Sequence, residues 1–374
     1  MYGKDVRLKS LSVVHGDITA VYPTDLEIAS GEILALLGPS GAGKTSLLRA
    51  LAGFLAPGPG RVLIGGADVT DRPPERRPTA MVFPGLALFP LMSVADNVGF
   101  GLEARGLPRA ARRARSDDLL ALVGLTGHGD RRPDDLGDAD RLRLAIARAL
   151  AVEPAVLLLD EPLAALDPED RRRMRAELRA IRHRTGVTVV HATADRADAL
   201  ALADRVAVIH AGRLEQVDTP DRLYSRPATA VVARLVGDRT IVRGRVATVA
   251  EARVAVDTAI GRLWATARGA LTPGDAVAVT IRPERLLLEA ERGERGLAAA
   301  DTEGWNRLTG DLVGRTLEGA IVAYDFALGD VGLVMHRPNL GQHDLLLPSL
   351  HAIGFHADDA TAFAEARDGG GGDG

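Results

Sequence analysis

The run GPSGAGKT, Gly38 to Thr45, has the residue types and spacing to hold the phosphates of a nucleotide. Backbone N–H groups converge on phosphate oxygens only where side chains do not intrude, and Gly38, Gly41 and Gly43 leave that room. The apolar run SLLRALAGFL follows, so Gly38, Pro39, Ser40, Gly41, Ala42, Gly43, Lys44, Thr45 and Ser46 read as a loop entering a helix whose N-terminal dipole favours anions. Lys44 is expected to reach the β- and γ-phosphates and the Thr45 hydroxyl to ligate Mg²⁺. Downstream, AVLLLDE puts Asp160 at a strand end, where a carboxylate reaches the water shell of Mg²⁺. Glu161 beside it has the chemistry to polarise an attacking water. The expected ligands are therefore ATP and Mg²⁺.

These residues need strands and helices to hold them. EILALLG (Glu32 to Gly38), AVLLLDE (Ala155 to Glu161), VTVVHAT (Val187 to Thr193) and RVAVIHAGR (Arg205 to Arg213) are near-continuous apolar runs that read as buried strands. Arg171 to His183, rich in Arg, Leu, Ala, Met and Glu, reads as a helix with an exposed face. The alternation from Val6 to Ile209 predicts an α/β fold with a parallel sheet. After Asp238 the texture changes to short alternating segments separated by glycine, which point to small β-barrels in two lobes, about 238–290 and 300–350. The expected organisation is a nucleotide-binding domain over 1–237 with a helical subdomain at about 86–153, a β-rich domain over 238–364, and a disordered tail over 365–374.

Composition removes several classes of function. A net charge of -4 with both signs interspersed, and 3% aromatic residues, point away from nucleic acid. With no cysteine, disulfides and thiolate metal sites are excluded, and the composition is compatible with a reducing compartment. No apolar run approaches the ~18 residues of a membrane span, and the opening MYGKDVRLKSLSVVHG has no apolar leader core, so a soluble or peripheral protein is expected.

The order GPSGAGKT, ALFPLMSVADNVGFGL, RLAIARALAVEPAVLLLDEPLAALD, ALALADRVAVIHAGRLEQVDTP resembles the ATP-binding subunits of ABC importers over about residues 5–235. The distal part, with VTIRPERL at Val279 to Leu286, is similar to the OB-like TOBE region of the maltose, polyamine, sulfate and ferric-iron importer type. The resemblance implies a P-loop domain followed by a TOBE domain, and a homo- or heterodimer of ATP-binding subunits on the cytoplasmic face of the cell membrane. It further implies two permease partners, an indirect dependence on an extracytoplasmic solute-binding protein, and a solute chosen by those partners. It assigns ALFPLMSVADNVGFG to the groove that receives the permease, Asp167 to the D-loop, and His15 to the place of the aromatic that stacks on adenine.

Three motif positions depart from that pattern. Leu136, Gly137, Asp138, Ala139 and Asp140 stand where the family has Leu-Ser-Gly-Gly-Gln, so Asp138 brings a carboxylate towards the partner's γ-phosphate. At about 4 Å and an effective dielectric near 20, such a like-charge pair costs on the order of 4 kcal/mol. Pro84 takes the place of the Q-loop glutamine and offers neither a side-chain amide nor a backbone N–H. Ala194 takes the place of the switch histidine, and His191 in the preceding strand is expected to be a packed polar residue rather than its substitute. Asp134, Asp135, Asp138 and Asp140 together read as an acidic helix start. The leading expectation is an importer ATPase with impaired turnover. The alternatives are a non-catalytic, nucleotide-responsive subunit and a soluble NTPase unconnected with a transporter.

Overall fold

Apolar β-branched and leucine-rich runs form the strands, and in the computed structural model they assemble into two units, residues 1–225 and 226–374. The structure describes residues 3–237, 240–251, 253–288, 304–341 and 349–365.

In the first unit, β1 (Val6–His15) and β2 (Ile18–Ile28) form an antiparallel hairpin. β3 (Ile33–Leu37) runs through the glycine-rich loop into α1 (Lys44–Ala52). β4 (Arg61–Ile64) and β5 (Ala67–Asp68) complete an antiparallel sheet of order β2-β1-β4-β5, a layer the sequence reading did not anticipate. β6 (Thr79–Val82) precedes three helices, α2 (Val94–Ala104), α3 (Arg109–Leu122) and α4 (Asp138–Ala151), which form the helical part. Then follow β7 (Val156–Asp160), α5 (Pro168–Thr185), β8 (Thr188–Thr193), α6 (Arg196–Leu202), β9 (Arg205–His210), β10 (Arg213–Asp218) and α7 (Pro220–Ser225).

The central sheet has the order β10-β9-β3-β8-β7-β6, parallel except at the β10 edge. Leu34, Leu36, Leu158, Val190, Ala192 and Ile209 share a core with Leu47, Leu48 and Leu51 of α1 and with Val6, Leu8 and Val13 of β1. Four strands of this sheet end next to a residue of chemical interest: β3 before Gly38, β7 at Asp160, β8 before Ala194 and β6 shortly before Pro84. The parallel register aligns these carboxyl ends, as Leu37 pairs with Thr193, Ala192 with Asp160, and Leu159 with Val82. Ligands of open α/β sheets bind at that edge.

In the second unit α8 (Ala230–Val236) packs on a strand of a closed barrel. The boundary expected from texture, after residue 237, falls beyond this helix, whose Val232, Ala233 and Val236 are buried. β11 (Thr240–Ala250), β12 (Arg253–Thr258), β13 (Gly261–Arg268) and β14 (Ala276–Ile281) form the barrel, in the order β11-β12-β13-β20-β14, with β20 (Ala360–Ala364). β15 (Leu287–Leu288), β16 (Trp305–Glu318), β17 (Ile321–Leu328), β18 (Val331–Pro338) and β19 (Ser349–His356) form a second sheet of order β15-β19-β16-β17-β18. The two expected lobes, 238–290 and 300–350, are thus corrected. The chain returns from the second sheet to close the first barrel, β20 pairing antiparallel with β14 and parallel with β13. The tail expected to be disordered lies, from residue 366 on, outside the described residues.

Candidate nucleotide site

Positive φ angles at Gly41 (79°) and Gly43 (101°) shape the loop between β3 and α1. A Cβ at Gly43 would stand 2.4 Å from the Ala20 carbonyl oxygen, whereas one at Gly41 would meet nothing within 4 Å. Pro39, Ser40 and Gly41 are exposed, while Gly38, Ala42 and Gly43 are buried against the fold. Among the described residues no side chain caps α1 and its first turn holds no acidic residue, so its N–H dipoles face the loop uncompensated.

Lys44 is only 5% exposed. Its Nζ donates to the carbonyl oxygens of Gly38 (2.8 Å) and Pro39 (3.1 Å) and lies 3.3 Å from Glu161 Oε1. Thr45 Oγ1 donates to Asp160 Oδ1 at 2.9 Å. Burial pushes the Asp160 carboxyl above the usual carboxylate range, while the Thr45 hydrogen bond and the charges of Arg49 and Lys44 pull it back. Its other oxygen, Oδ2, is buried and makes no hydrogen bond among the described residues. Glu161 occupies a left-handed backbone conformation (φ 49°), its N–H donating to Ala192 O at 3.0 Å and its Oε2 accepting from the Ala194 N–H at 3.2 Å. His15 is exposed at the end of β1, opposite Ile18 in the hairpin register, and its Nε2 lies 3.0 Å from Ser46 Oγ. Three direct contacts, Lys44 with Glu161, Thr45 with Asp160 and Ser46 with His15, thus bring the loop residues 44–46 against two segments distant in sequence.

The departing positions are placed as follows. Pro84 is exposed in the turn after β6, and Ala194 is exposed between β8 and α6. Neither has a polar side-chain atom to turn towards Glu161. Leu136 is buried, and Gly137 is the N-cap of α4 in an extended conformation. The acidic helix start is shorter than expected. Asp138 and Asp140 lie in the first turn of α4, but Asp134 and Asp135 belong to a separate 3₁₀ turn over Pro133–Asp135, broken from α4 by Leu136 and Gly137. Asp138 is 67% exposed, with Arg141 at 3.7 Å. Ala139 is buried, and Asp140 pairs with Arg143, which also grips Glu177 of α5 through two hydrogen bonds of 2.8 and 2.6 Å. Asp167 is the N-cap of α5, its Oδ1 accepting from the N–H groups of Glu169 and Asp170.

Several organising residues were not singled out from sequence. Arg77 is buried and donates to the carbonyls of Ala50, Leu51, Thr70 and Arg72, thereby holding the end of α1. Asn97, also buried, accepts from Phe89 N and donates to the carbonyls of Phe89 and Ser93, and so fixes the loop Phe89–Ser93. Arg148 donates to Leu86 O and Ala87 O, both at 2.6 Å. Arg77 and Arg148 act through backbone partners distant in sequence, and no local spacing announces that. His191 lies in β8, fully buried, and neither ring nitrogen finds a partner among the described residues.

Fold and site together define a P-loop nucleotide-binding subunit. Residues 21–164 match the ABC transporter family. The spermidine/putrescine import ATP-binding protein PotA of Acidothermus cellulolyticus is 43% identical over 297 residues, 78% of each chain. The Fe(3+) ions import ATP-binding protein FbpC 1 of Rhizobium meliloti is 45% identical, covering 73% of this chain and 77% of that protein. The sulfate/thiosulfate import ATP-binding protein CysA of Thermosynechococcus vestitus is 46% identical over 64% of this chain and 72% of its own. Among solved structures, cbiO1 from Clostridium perfringens, part of the ABC transporter complex cbiONQ, superposes with a TM-score of 0.56 at 30% identity, covering 62% of this chain and 93% of that one. The chain belongs to the ABC transporter family, among the ATP-binding subunits of import systems. Its members bind and hydrolyse ATP, and neither a purely regulatory subunit nor a soluble NTPase without a transporter is favoured by these relatives.

Proposed function

We propose that this subunit binds Mg-ATP through Gly38–Ser46 and hydrolyses it slowly, coupling nucleotide binding to uptake through permease partners at the cytoplasmic face of the membrane. The carrying observation is an asymmetry at one sheet edge. Lys44 meets Glu161 and Thr45 meets Asp160, while Pro84 and Ala194 at the same sheet edge have no polar side-chain atom. The hard oxygens of Thr45 and Asp160, including the unpartnered Oδ2, suit Mg²⁺, which these two residues would hold. When bound, that ion neutralises charge on the phosphate oxygens. Lys44 would leave its carbonyl partners for the β- and γ-phosphates, and His15 with Ile18 would face the base. In hydrolysis a water oxygen bonds to the γ-phosphorus, Glu161 takes the water's proton, and the bond to the ADP oxygen breaks with its electron pair. Without a glutamine at 84 or a histidine at 194, water and γ-phosphate are held by fewer groups.

A permease-facing role is supported by the loop that Asn97 and Arg148 organise, where Leu91 is 84% exposed and Phe54 and Phe100 are also exposed. Exposed apolar side chains around an ordered loop suit docking of another chain. Among the described residues no helix is long and apolar enough to cross a membrane. The relatives named for polyamine, ferric iron and sulfate are 43%, 45% and 46% identical, so identity does not single out a solute. Titration with a fluorescent ATP analogue tests the site. Saturable binding that Lys44→Ala lowers at least about tenfold is expected, and equal affinity of the two proteins refutes the assignment.

A further inference from the structure

With no side chain beyond a methyl at 194, Lys44 holds Glu161 Oε1 at 3.3 Å and backbone groups must place its other oxygen, and the contacts on that side form a closed ring. Glu161 Oε2 accepts from the Ala194 N–H at 3.2 Å. Ala194 is followed by Asp195, whose N–H donates to Thr193 Oγ1 and whose Oδ1 caps α6 by accepting from the Asp198 N–H, both at 3.0 Å. Asp195 Oδ2 accepts from Arg171 Nη1 at 2.7 Å. The same guanidinium donates through Nη2 to Ala164 O at 3.3 Å, and Ala164 N–H returns to Glu161 O at 3.3 Å. Arg171 Nε faces Asp198 Oδ2 at 3.9 Å, and Asp198, only 2% exposed, also accepts from Arg175 Nη1 at 2.7 Å. Glu161 sits inside this ring in a left-handed conformation that a residue with a side chain keeps only when its surroundings hold it.

We propose that Arg171 is a positioning residue for hydrolysis: by bridging the carbonyl of Ala164 to the carboxylate of Asp195 it sets the backbone N–H of Ala194, which aims the Glu161 carboxylate. The inference rests on the reading of Glu161 as the group that takes the water's proton. Arginine suits the place because its planar fork serves two acceptors at once, whereas lysine offers a single point charge. The ring also joins the segment before Asp167 to the segment at 194, so a movement of either is felt at Glu161.

The test uses the full chain with Arg171→Ala, Arg171→Lys and Asp195→Asn. Asparagine caps a helix as well as aspartate does, so Asp195→Asn removes the ion pair and leaves the cap of α6. Two quantities are read: amide hydrogen exchange at Ala194 without nucleotide, and release of phosphate from γ-labelled ATP over hours. Exchange at Ala194 should quicken about tenfold in Arg171→Ala and Asp195→Asn and less in Arg171→Lys, with α6 unchanged in Asp195→Asn. The kcat should fall about fivefold or more while KM for ATP stays within about twofold, with partial rescue by lysine. If Arg171→Ala does not fold, the other two variants decide. Unchanged exchange at Ala194 overturns the ring. Quickened exchange in the variants when the unmodified chain itself releases no phosphate overturns the reading of Glu161 instead, and kcat and KM changing together overturns the positioning role.

Discussion

His191 shows how far a single residue's role can lie from its type. Its imidazole is sealed in β8 among strands, and burial holds it down to about 4 against the opposing charge of Asp195. Between that value and the usual histidine value near 6.5, the unfolded chain binds a proton that the folded chain refuses. Its contribution to stability is therefore full above about pH 6.5 and is lost as pH falls towards 4. Since neither ring nitrogen has a partner among the described residues, His191→Leu should be no less stable at pH 7.5. Urea unfolding at pH 7.5 and 4.5 should show the variant losing roughly 2 kcal/mol less on acidification. Equal losses would mean that the histidine titrates normally. The left-handed turn at Gly41 and Gly43 and the helix that begins at Lys44 were legible from spacing alone. Arg171 and Asp195 were not, because the ring they close joins points 24 positions apart.

At the scale of elements, the buried strands were legible because continuous apolar runs have few other uses, and β3, β7 and β8 each fall inside the run that announced them. The acidic start of α4 was misjudged because charge composition alone does not reveal that Leu136 turns inward and breaks the helix from the preceding turn. Less legible still was what holds α1 behind the phosphate loop. Arg77 caps its end with hydrogen bonds of 2.6 and 2.9 Å to Ala50 O and Leu51 O. Ala50 O keeps the Gly53 N–H, but Arg77→Met would leave the buried Leu51 carbonyl without its donor, and a loss of about 2 kcal/mol in unfolding free energy is expected. Urea denaturation measures it, and a change below about 0.5 kcal/mol would show that α1 is held by its apolar face alone.

For the whole molecule, the change from parallel α/β to short antiparallel strands was visible as a change in texture near residue 238. The return of β20 to the barrel was not, since its partners β13 and β14 precede the whole of the second sheet in the chain. Among the described residues, the contacts around the phosphate loop and Glu161 lie within the first unit, from His15 to Gly212. Residues 1–225 expressed alone should therefore bind ATP with the affinity of the full chain. A folded fragment that does not bind would show that the second unit contributes to the site.

The central claim is that phosphate and Mg²⁺ groups are kept while those completing the hydrolytic geometry are missing. Because residues that act as a unit are strongly non-additive, restoring one of them, as in Ala194→His, should change little. The most direct measurement is steady-state phosphate release at saturating Mg-ATP by the unmodified chain and by a variant combining Pro84→Gln, Gly137→Ser, Asp138→Gly, Ala139→Gly, Asp140→Gln and Ala194→His. A gain of at least about tenfold, equivalent to about 1.4 kcal/mol of barrier, is predicted. An unmodified chain already turning over at about 1 per second, or a folded, ATP-binding combined variant with no gain, would contradict the account.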